Sequence, residues 1–380
     1  MIPSILVAML VSSTGGSSGA GSVSPPAGAE PRPLPVNVSL VPPLSVNALF
    51  EYRTVNAFAL DLLLGNSAAL AGVELSGIGS RNGAVRGAQV AGLGNWVDAG
   101  AYGQSGDARG GQVAGLLNWT GGSLRGAQAA GALNFAGRDS SGAQIAGAVN
   151  LASGLAGVQI AGAVNMASAM RGVQVAGAVN VASDATGVQV AGGMNYASGV
   201  ATVQVAPVNV SQQATGAQVG VVNVAEDADI SIGAFSWVTR GTHDAALAVT
   251  EYGVLAEADT GGRTLYGVLI GGPAYHSQPR RYLLGLGIGW RALATEAIVL
   301  DVQAATMQMV DADVWTDRHL HTARAVVAVR LAGPLSVFAG PTFNVFVDSE
   351  SQKIDPVGYG WKIGSDVRLW PGILAGLRLF

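Results

Sequence analysis

Residues 157 to 195 read GVQIAGAVNMASAMRGVQVAGAVNVASDATGVQVAGGMN, nearly three copies of one phrase that differ only by small apolar exchanges. The phrase extends in both directions and is marked by a Gln followed by an Asn. The Gln stands at 89, 112, 128, 144, 159, 174, 189, 204 and 218, and the Asn at 95, 118, 134, 150, 165, 180, 195, 209 and 223. The steps settle to fifteen residues in the middle, and a fixed period of this kind indicates a repeat architecture.

One interpretation is a parallel β-solenoid in which each repeat is one rung. Each side chain then stacks on its own copy about 4.8 Å away, so identical copies are favoured everywhere. Repeated amides would form ladders, Gly would occupy tight corners, and Val, Ile, Ala and Met would fill a narrow core. We predict structural ladders at Gln144, Gln159, Gln174 and Gln189 and at Asn150, Asn165, Asn180 and Asn195.

The alternative is that each repeat is one antiparallel strand of a large β-barrel that includes the repeats. Unbroken alternation from Val158 to Ala167 supports this interpretation, because it separates an apolar face from a face of small and amide side chains. Two features oppose it. The unit is a single strand rather than a strand pair, and the last two full copies lose one residue between Gln and Asn, which would reverse the faces of half a strand. The solenoid is therefore favoured.

Beyond residue 240 the pattern changes to longer alternating runs. YLLGLGIGW at 282 to 290 places Tyr282 and every second residue to Trp290 on one face, and Leu283 and three glycines on the other. Strands of about nine to eleven residues with one apolar face are typical of an outer-membrane β-barrel. The chain also finishes on LRLF, an ending common in such barrels. A soluble β-sandwich with one hydrated face is the rival interpretation.

These patterns predict an all-β chain with four segments. Residues 1–29 are a signal peptide or leader, 30–80 a linker and N-terminal strands, 81–239 the repeats, and 240–380 a C-terminal antiparallel barrel. The leader prediction depends on the apolar run ILVAMLV at 5 to 11 and on Ala27-Gly28-Ala29, a small-x-small cleavage pattern. A disordered tail is the alternative for this segment.

Composition narrows the class of protein. Hydrophobic residues make up 49% and charged residues only 12%, with a net charge of -4 and basic residues scattered singly, so nucleic acid is not an expected partner. The chain has no cysteine, which excludes disulfides and cysteine metal sites.

The G-V-Q-I-A-G-x-V-N copies occur together with VSLVPPLSVN at 38 to 47 and VFAGPTFNVF at 337 to 346. This combination resembles the bacterial surface repeat family described from leptospiral surface proteins, over roughly residues 36 to 380. The resemblance implies a secreted or outer-membrane surface protein. It carries no catalytic residues, because the family has no assigned reaction.

Candidate chemistry is sparse. His319 and His321 would share a face if extended, and with Asp317 could bind a metal weakly, although a strand-end pair is the simpler interpretation. His276-Ser277 matches residue types of membrane-embedded lipid hydrolases but lacks a matched acid. The remaining candidates are the alternating glycines of Gly285 to Gly289, read as a strand face rather than a nucleotide loop, and the solvated or weakly cation-binding Asp311, Asp313 and Asp317.

The sequence therefore predicts no catalytic, cofactor-binding or metal-binding residues. The expected function is that of an outer-membrane or cell-surface protein with a structural or adhesin-like role. Its expected partners are outer-membrane lipid and an extracellular or envelope molecule. A porin-like channel with Gln and Asn lining the lumen is the alternative, and a barrel enzyme acting on lipid a remote one.

Overall fold

The computed structural model describes residues 30–275, 281–311, 314–351 and 353–380, so the predicted leader, residues 1–29, lies outside the described residues. The chain divides into two compact units, Met1–Ala206 and Pro207–Phe380. Both are built of β-strands, and the described residues include two short 3-10 helices, Val46–Phe50 and Ala101–Gly103.

The first unit is a parallel β-solenoid, which we call the coil. Apart from β2, which pairs antiparallel with β1, each strand pairs in parallel with the equivalent strand of the next repeat. Its strands are β1 (Arg32–Val41), β2 (Leu44–Ser45), β3 (Thr54–Asp61), β4 (Leu64–Ser67), β5 (Ala69–Ser76), β6 (Gly79–Asn82), β7 (Val85–Ala91), β8 (Gly94–Val97), β9 (Ala108–Ala114), β10 (Leu117–Thr120), β11 (Leu124–Ala130), β12 (Leu133–Ala146), β13 (Val149–Ala161), β14 (Val164–Ala176), β15 (Val179–Ala191), β16 (Met194–Ala197) and β17 (Val200–Val205). Asn150 lies opposite Asn165, and Gln159 opposite Gln174, in parallel register. The predicted parallel β-solenoid is confirmed, and the alternative of one large barrel that includes the repeats is wrong.

The coil begins upstream of the first recognisable Gln and Asn. Strand β1 pairs in parallel with β3, and β3 with β5, so turns of the same coil extend from Arg32 through the segment that the sequence describes only as linker and strands. Pro42-Pro43 forms the turn between β1 and β2, where neither residue has to donate to a ladder.

The inside of the coil differs from the prediction in one respect. Ile160, Val175 and Val190 are 42%, 36% and 36% exposed, whereas the Gln beside each of them is fully buried. Adjacent residues of a strand point to opposite faces, so once the amides point inward these β-branched residues must point outward. Ala residues and the larger Leu155 and Met170 fill the space around the amides. The prediction that Val and Ile fill this core is wrong for the residues beside the amides, although Val85 and Val97 are buried in it.

Glycine allows the rungs to approach closely at one column of the coil. Gly172 has φ of 135°, and a Cβ atom there would lie 2.0 Å from the carbonyl oxygen of Gly157. A side chain is therefore excluded both by the backbone conformation and by the neighbouring rung.

The second unit starts with further turns of parallel coil, formed by β18 (Val208–Val210), β19 (Gln213–Val219), β20 (Val222–Ala225), β21 (Asp227–Ile232) and β22 (Phe235–Val238). The antiparallel strands that follow are β23 (Thr242–Thr250), β24 (Val254–Gly261), β25 (Leu265–Pro273), β26 (Arg281–Ala294), β27 (Ile298–Asp311), β28 (Val314–Ala332), β29 (Leu335–Asp348), β30 (Trp361–Ile363) and β31 (Val367–Leu379).

The antiparallel strands form a closed sheet. Each strand from β23 to β29 pairs with the next, β29 pairs with β31, and β31 pairs back to β23. Strand β30 is a short addition that pairs with β31. Because first and last strands are joined, this sheet leaves no long unpaired edge.

The β24–β25 hairpin of the closed sheet covers the last turn of the coil. Ile230 pairs in parallel with Leu265, and the backbone N–H of Arg263 donates to the carbonyl of Ala228 at 2.9 Å. The guanidinium of Arg263 also reaches Asp229 at 2.6 Å. The exposed edge of a β-coil is a template for unwanted strand addition, and the hairpin occupies it here.

Candidate functional site

The repeated glutamines form a continuous hydrogen-bonded ladder inside the first unit. Gln144, Gln159, Gln174 and Gln189 are fully buried. The Nε2 of each donates to the Oε1 of the Gln one rung towards the N-terminus, at 2.8 to 2.9 Å. Each amide therefore has a partner on both sides, as a buried polar group requires.

The repeated asparagines form a second ladder with the opposite direction. Asn150, Asn165, Asn180 and Asn195 are fully buried, and the first three donate to the Oδ1 of the next Asn towards the C-terminus at 2.9 to 3.0 Å. The other N–H of each side-chain amide faces main-chain carbonyls. For example, Nδ2 of Asn165 donates to the carbonyl oxygen of Val175 at 2.8 Å. The two ladders thus run in opposite directions, and their amide dipoles oppose each other.

Acidic side chains close the N-terminal end of the Gln ladder. Glu74 occupies the Gln column, and its Oε2 accepts from Gln89 at 2.8 Å and from Asn82 at 2.6 Å. Asp61 lies beside it and accepts from Asn37 and Ser76. Burial, reinforced by the neighbouring Glu74 carboxylate, raises the pKa of Asp61 to about 8.

Ion pairs fill the interior of the closed sheet. Arg324 forms a two-pronged pair with Glu257 at 2.6 and 2.8 Å. Arg378 contacts Asp301 at 2.5 Å, and Arg291 lies 2.6 Å from Asp244. These groups are held among buried apolar side chains that include Leu255, Met307, Phe338, Phe346 and Trp370.

The outer surface of the closed sheet is apolar. The face that contains Leu284, Leu286 and Ile288 is 47% to 55% exposed, whereas Leu283 on the opposite face is 1% exposed. The glycines of this strand make room for interior side chains, since a Cβ at Gly289 would lie 2.3 Å from the ring of Tyr266. Other strands contribute exposed apolar residues to the same surface: Leu247, Val249, Leu269, Val302, Val327, Phe343, Ile373 and Leu377.

The other candidate residues do not form a reaction centre in the described structure. The rings of His319 and His321 lie 6.4 Å apart on one face of β28, and His319 is 3.4 Å from Asp317. Asp311 pairs instead with Arg281 at 3.3 Å. Within the described ranges, no group of three or more His, Cys, Asp or Glu side chains could hold a metal ion. His276, Ser277 and Asp313 lie outside the described residues.

Sequence reasoning missed the charged residues that point into the closed sheet. The signal was present, because Asp301 in AIVLDVQAA falls on the same strand face as Val299 and Gln303, all of which are buried. Glu74 was also identifiable, since VELS stands one repeat before the AQVA that contains Gln89. The sequence does not identify all the partners of these charges, because pairs such as Arg324–Glu257 and Arg378–Asp301 join strands that are not neighbours in the sheet.

In the described residues, no helix is long and apolar enough to cross a membrane. The structure defines an all-β protein with a polar-cored parallel coil and a closed antiparallel sheet. Comparisons with protein-family models, with curated proteins and with solved structures found no match.

Proposed function

We propose that the closed sheet is a β-barrel that spans an outer membrane and anchors the coil, which has a structural or adhesin-like role at the cell surface without catalysis. The observation that carries this proposal is the inverted distribution of side chains in the sheet. Charged groups such as Arg324 and Asp301 are buried inside, and leucine, valine and isoleucine side chains are exposed outside.

The backbone supports the same proposal. A chain in hydrocarbon must satisfy every backbone hydrogen bond internally, and a β-sheet achieves this only when it closes. The pairing of β23 with β31 provides the closure. The longer strands, such as β26 and β27 with 14 residues each, exceed the nine to eleven residues that a tilted strand needs to cross a bilayer.

The filled interior favours an anchor over a channel. The Arg324–Glu257 and Arg378–Asp301 pairs lie among packed aromatic side chains, where an aqueous pathway would need open space. The Gln and Asn ladders do not line a lumen, since their amides bond to one another inside the coil.

The test is fractionation of the full-length protein expressed in a Gram-negative host, followed by gel electrophoresis with and without boiling. We expect it in the outer membrane, with faster migration when unboiled. Leu286→Arg places a charge on the outer face of the sheet. At mid-bilayer this charge should lower the free energy of unfolding by about 2–4 kcal/mol, and the band of folded protein should be weaker. Ala169→Arg, at an exposed corner position of the coil, is the matched control and should behave as the parent.

Recovery of the protein in a soluble fraction without detergent would refute the anchor. Planar-bilayer recording distinguishes the anchor from the channel. We expect no stepwise conductance, and regular steps would support the channel instead.

A further inference from the structure

The outer surface of the first unit's coil is also apolar over most of its circumference. We call equivalent residues of successive rungs a column and name it after its member in the rung 149–163. Between Leu64 and Val205, the Val149, Val158 and Ile160 columns contain no polar side chain. The Ile160 column, for example, is Leu75, Val90, Val113, Ala129, Ile145, Ile160, Val175, Val190 and Val205.

One corner of the coil joins these apolar faces and is apolar itself. We call it the apolar corner: Gly77-Ile78, Gly92-Leu93, Gly115-Leu116, Gly131-Ala132, Gly147-Ala148, Gly162-Ala163, Gly177-Ala178 and Gly192-Gly193. Its backbone is paired between rungs, since the N–H groups of Gly162 and Ala163 donate to Ala146 and Ala148 at 3.2 and 3.0 Å. The backbone N–H groups of this corner therefore keep their hydrogen bonds when the corner is transferred from water to hydrocarbon.

The opposite corner, which we call the polar corner, collects the charges. It contains the Ala156 column, with Arg86, Arg109, Arg125 and Arg171, and the adjoining turn residues Asp98, Asp107, Arg138, Asp139 and Asp184. Arg81 lies on a neighbouring face and is held towards this corner by its ion pair with Asp98.

Aromatic side chains occupy the boundary between an apolar face and the polar corner. The Leu151 column contains Trp96, Trp119, Phe135 and Tyr196, and the rings of Trp119 and Phe135 stack with centroids 3.8 Å apart. Tryptophan and tyrosine concentrate at the level of lipid headgroups because their rings are amphipathic. From the apolar corner to the polar corner, the surface of the coil therefore passes first over an apolar face, then over a column of aromatic or arginine side chains, and then reaches the charged residues.

We propose that the coil of the first unit lies on a lipid bilayer, with its apolar corner in the hydrocarbon and its polar corner in water. This proposal rests on the proposed function only in requiring that the protein is located at a membrane. An element with one charged side and one apolar side is the form that binds in the plane of a bilayer interface. The exposed arginines of the Ala156 column would reach lipid phosphates at that level.

Lipid fits this surface better than a second copy of the chain does. A flat sheet partner covers one face, whereas here two faces and the corner between them are apolar. A fluid medium covers all three at once.

The test uses the absence of cysteine from the chain, which permits single labelling sites. Ala178→Cys lies on the apolar corner, Ala169→Cys on the polar corner of the same rung, and Leu286→Cys on the closed sheet; all three parent residues are exposed. Each full-length variant carries an environment-sensitive fluorophore. It is reconstituted into vesicles of three parts phosphatidylcholine and one part phosphatidylglycerol, with nitroxide on the acyl chains, and its fold is checked by the unboiled gel band.

We expect acyl-chain nitroxide to quench the probe at residue 178 several-fold more than the probe at 169. Equal, weak quenching at 178 and 169 would overturn the inference. The inference would also be overturned if the probe at 178 had blue-shifted emission without quenching by the nitroxide and residue 178 could be cross-linked to a second copy. The corner would then be a contact between chains. The probe at 286 reports on the barrel separately, so failure of the anchor and failure of the coil–lipid contact are distinguishable.

Discussion

Arg324 donates to both carboxylate oxygens of Glu257 at 2.6 and 2.8 Å, across the interior of the closed sheet and across 67 residues of sequence. Both side chains are 1% exposed. Their strands, β28 and β24, are not neighbours in the sheet. The pair therefore joins opposite parts of the ring.

Removing one member of this pair should destabilise the second unit strongly. Arg324→Met leaves the Glu257 carboxylate buried and uncompensated, which costs about 3–5 kcal/mol. The double variant Arg324→Met with Glu257→Met removes both charges and should recover most of that loss. The free energy of unfolding in urea, measured in detergent or vesicles, tests both variants. Arg330→Met, at an exposed position of the same strand, is the control and should change stability by less than about 1 kcal/mol. Equal stability of Arg324→Met and Arg330→Met would contradict a structural role for the pair.

Interruption of the Gln ladder should have a local and measurable effect. Gln174→Met keeps the size of the side chain but leaves Gln189 without its acceptor and Gln159 without its donor. Each unsatisfied buried group costs about 1–3 kcal/mol. We expect a lower urea midpoint and faster hydrogen exchange in the rungs on either side. Val175→Met, at the adjacent outward position, should leave both measurements close to those of the parent, and a similar loss there would argue against the ladder.

The close approach of the rungs predicts which glycines accept alanine. Gly172→Ala should prevent regular stacking, because its Cβ would lie 2.0 Å from a carbonyl oxygen and its φ is positive. Gly111→Ala is the matched control, since a Cβ there meets no atom within 4 Å. Circular dichroism and thermal unfolding should separate the two variants by several degrees in Tm. Equal Tm values would show that the rungs can move apart at Gly172 without cost.

The buried acid at the N-terminal end of the coil predicts a dependence on pH. Burial raises the pKa of Asp61 from its ordinary value of 3.8 to about 8 in the folded chain. Between these values the folded chain holds a proton that the unfolded chain releases, so stability falls as pH rises from about 4 to about 8. Asp61→Asn, which carries no titrating group, should flatten this slope in urea midpoints measured across that range. An unchanged slope would exclude Asp61 as its source, and Asp139→Asn at an exposed position of the coil serves as the control.

The sequence by itself determined the repeat, its period and its amide columns, and it favoured a parallel coil over a barrel. Repetition alone is sufficient to place the amide columns, because each repeat of a coil contacts only the neighbouring repeats. The environment of Gln174 therefore follows from that of Gln159. Alternation likewise gave the two faces of YLLGLGIGW, since strand geometry fixes which residues share a side. Both inferences depend only on residues that are close together in the sequence, so the sequence alone is sufficient to make them.

Tertiary structure alone decided which side of each strand faces inward and which charges meet. The sequence pattern of Gln between Val and Ile is the same whether the amide or the aliphatic side chains are buried, and only the stacked rungs show that the amides point inward. The extension of the coil back to Arg32 was similarly hidden, because Ala59 stands in the Gln column there. The Arg324–Glu257 pair exists only once β31 has closed the ring against β23, since closure places non-neighbouring strands across a common interior.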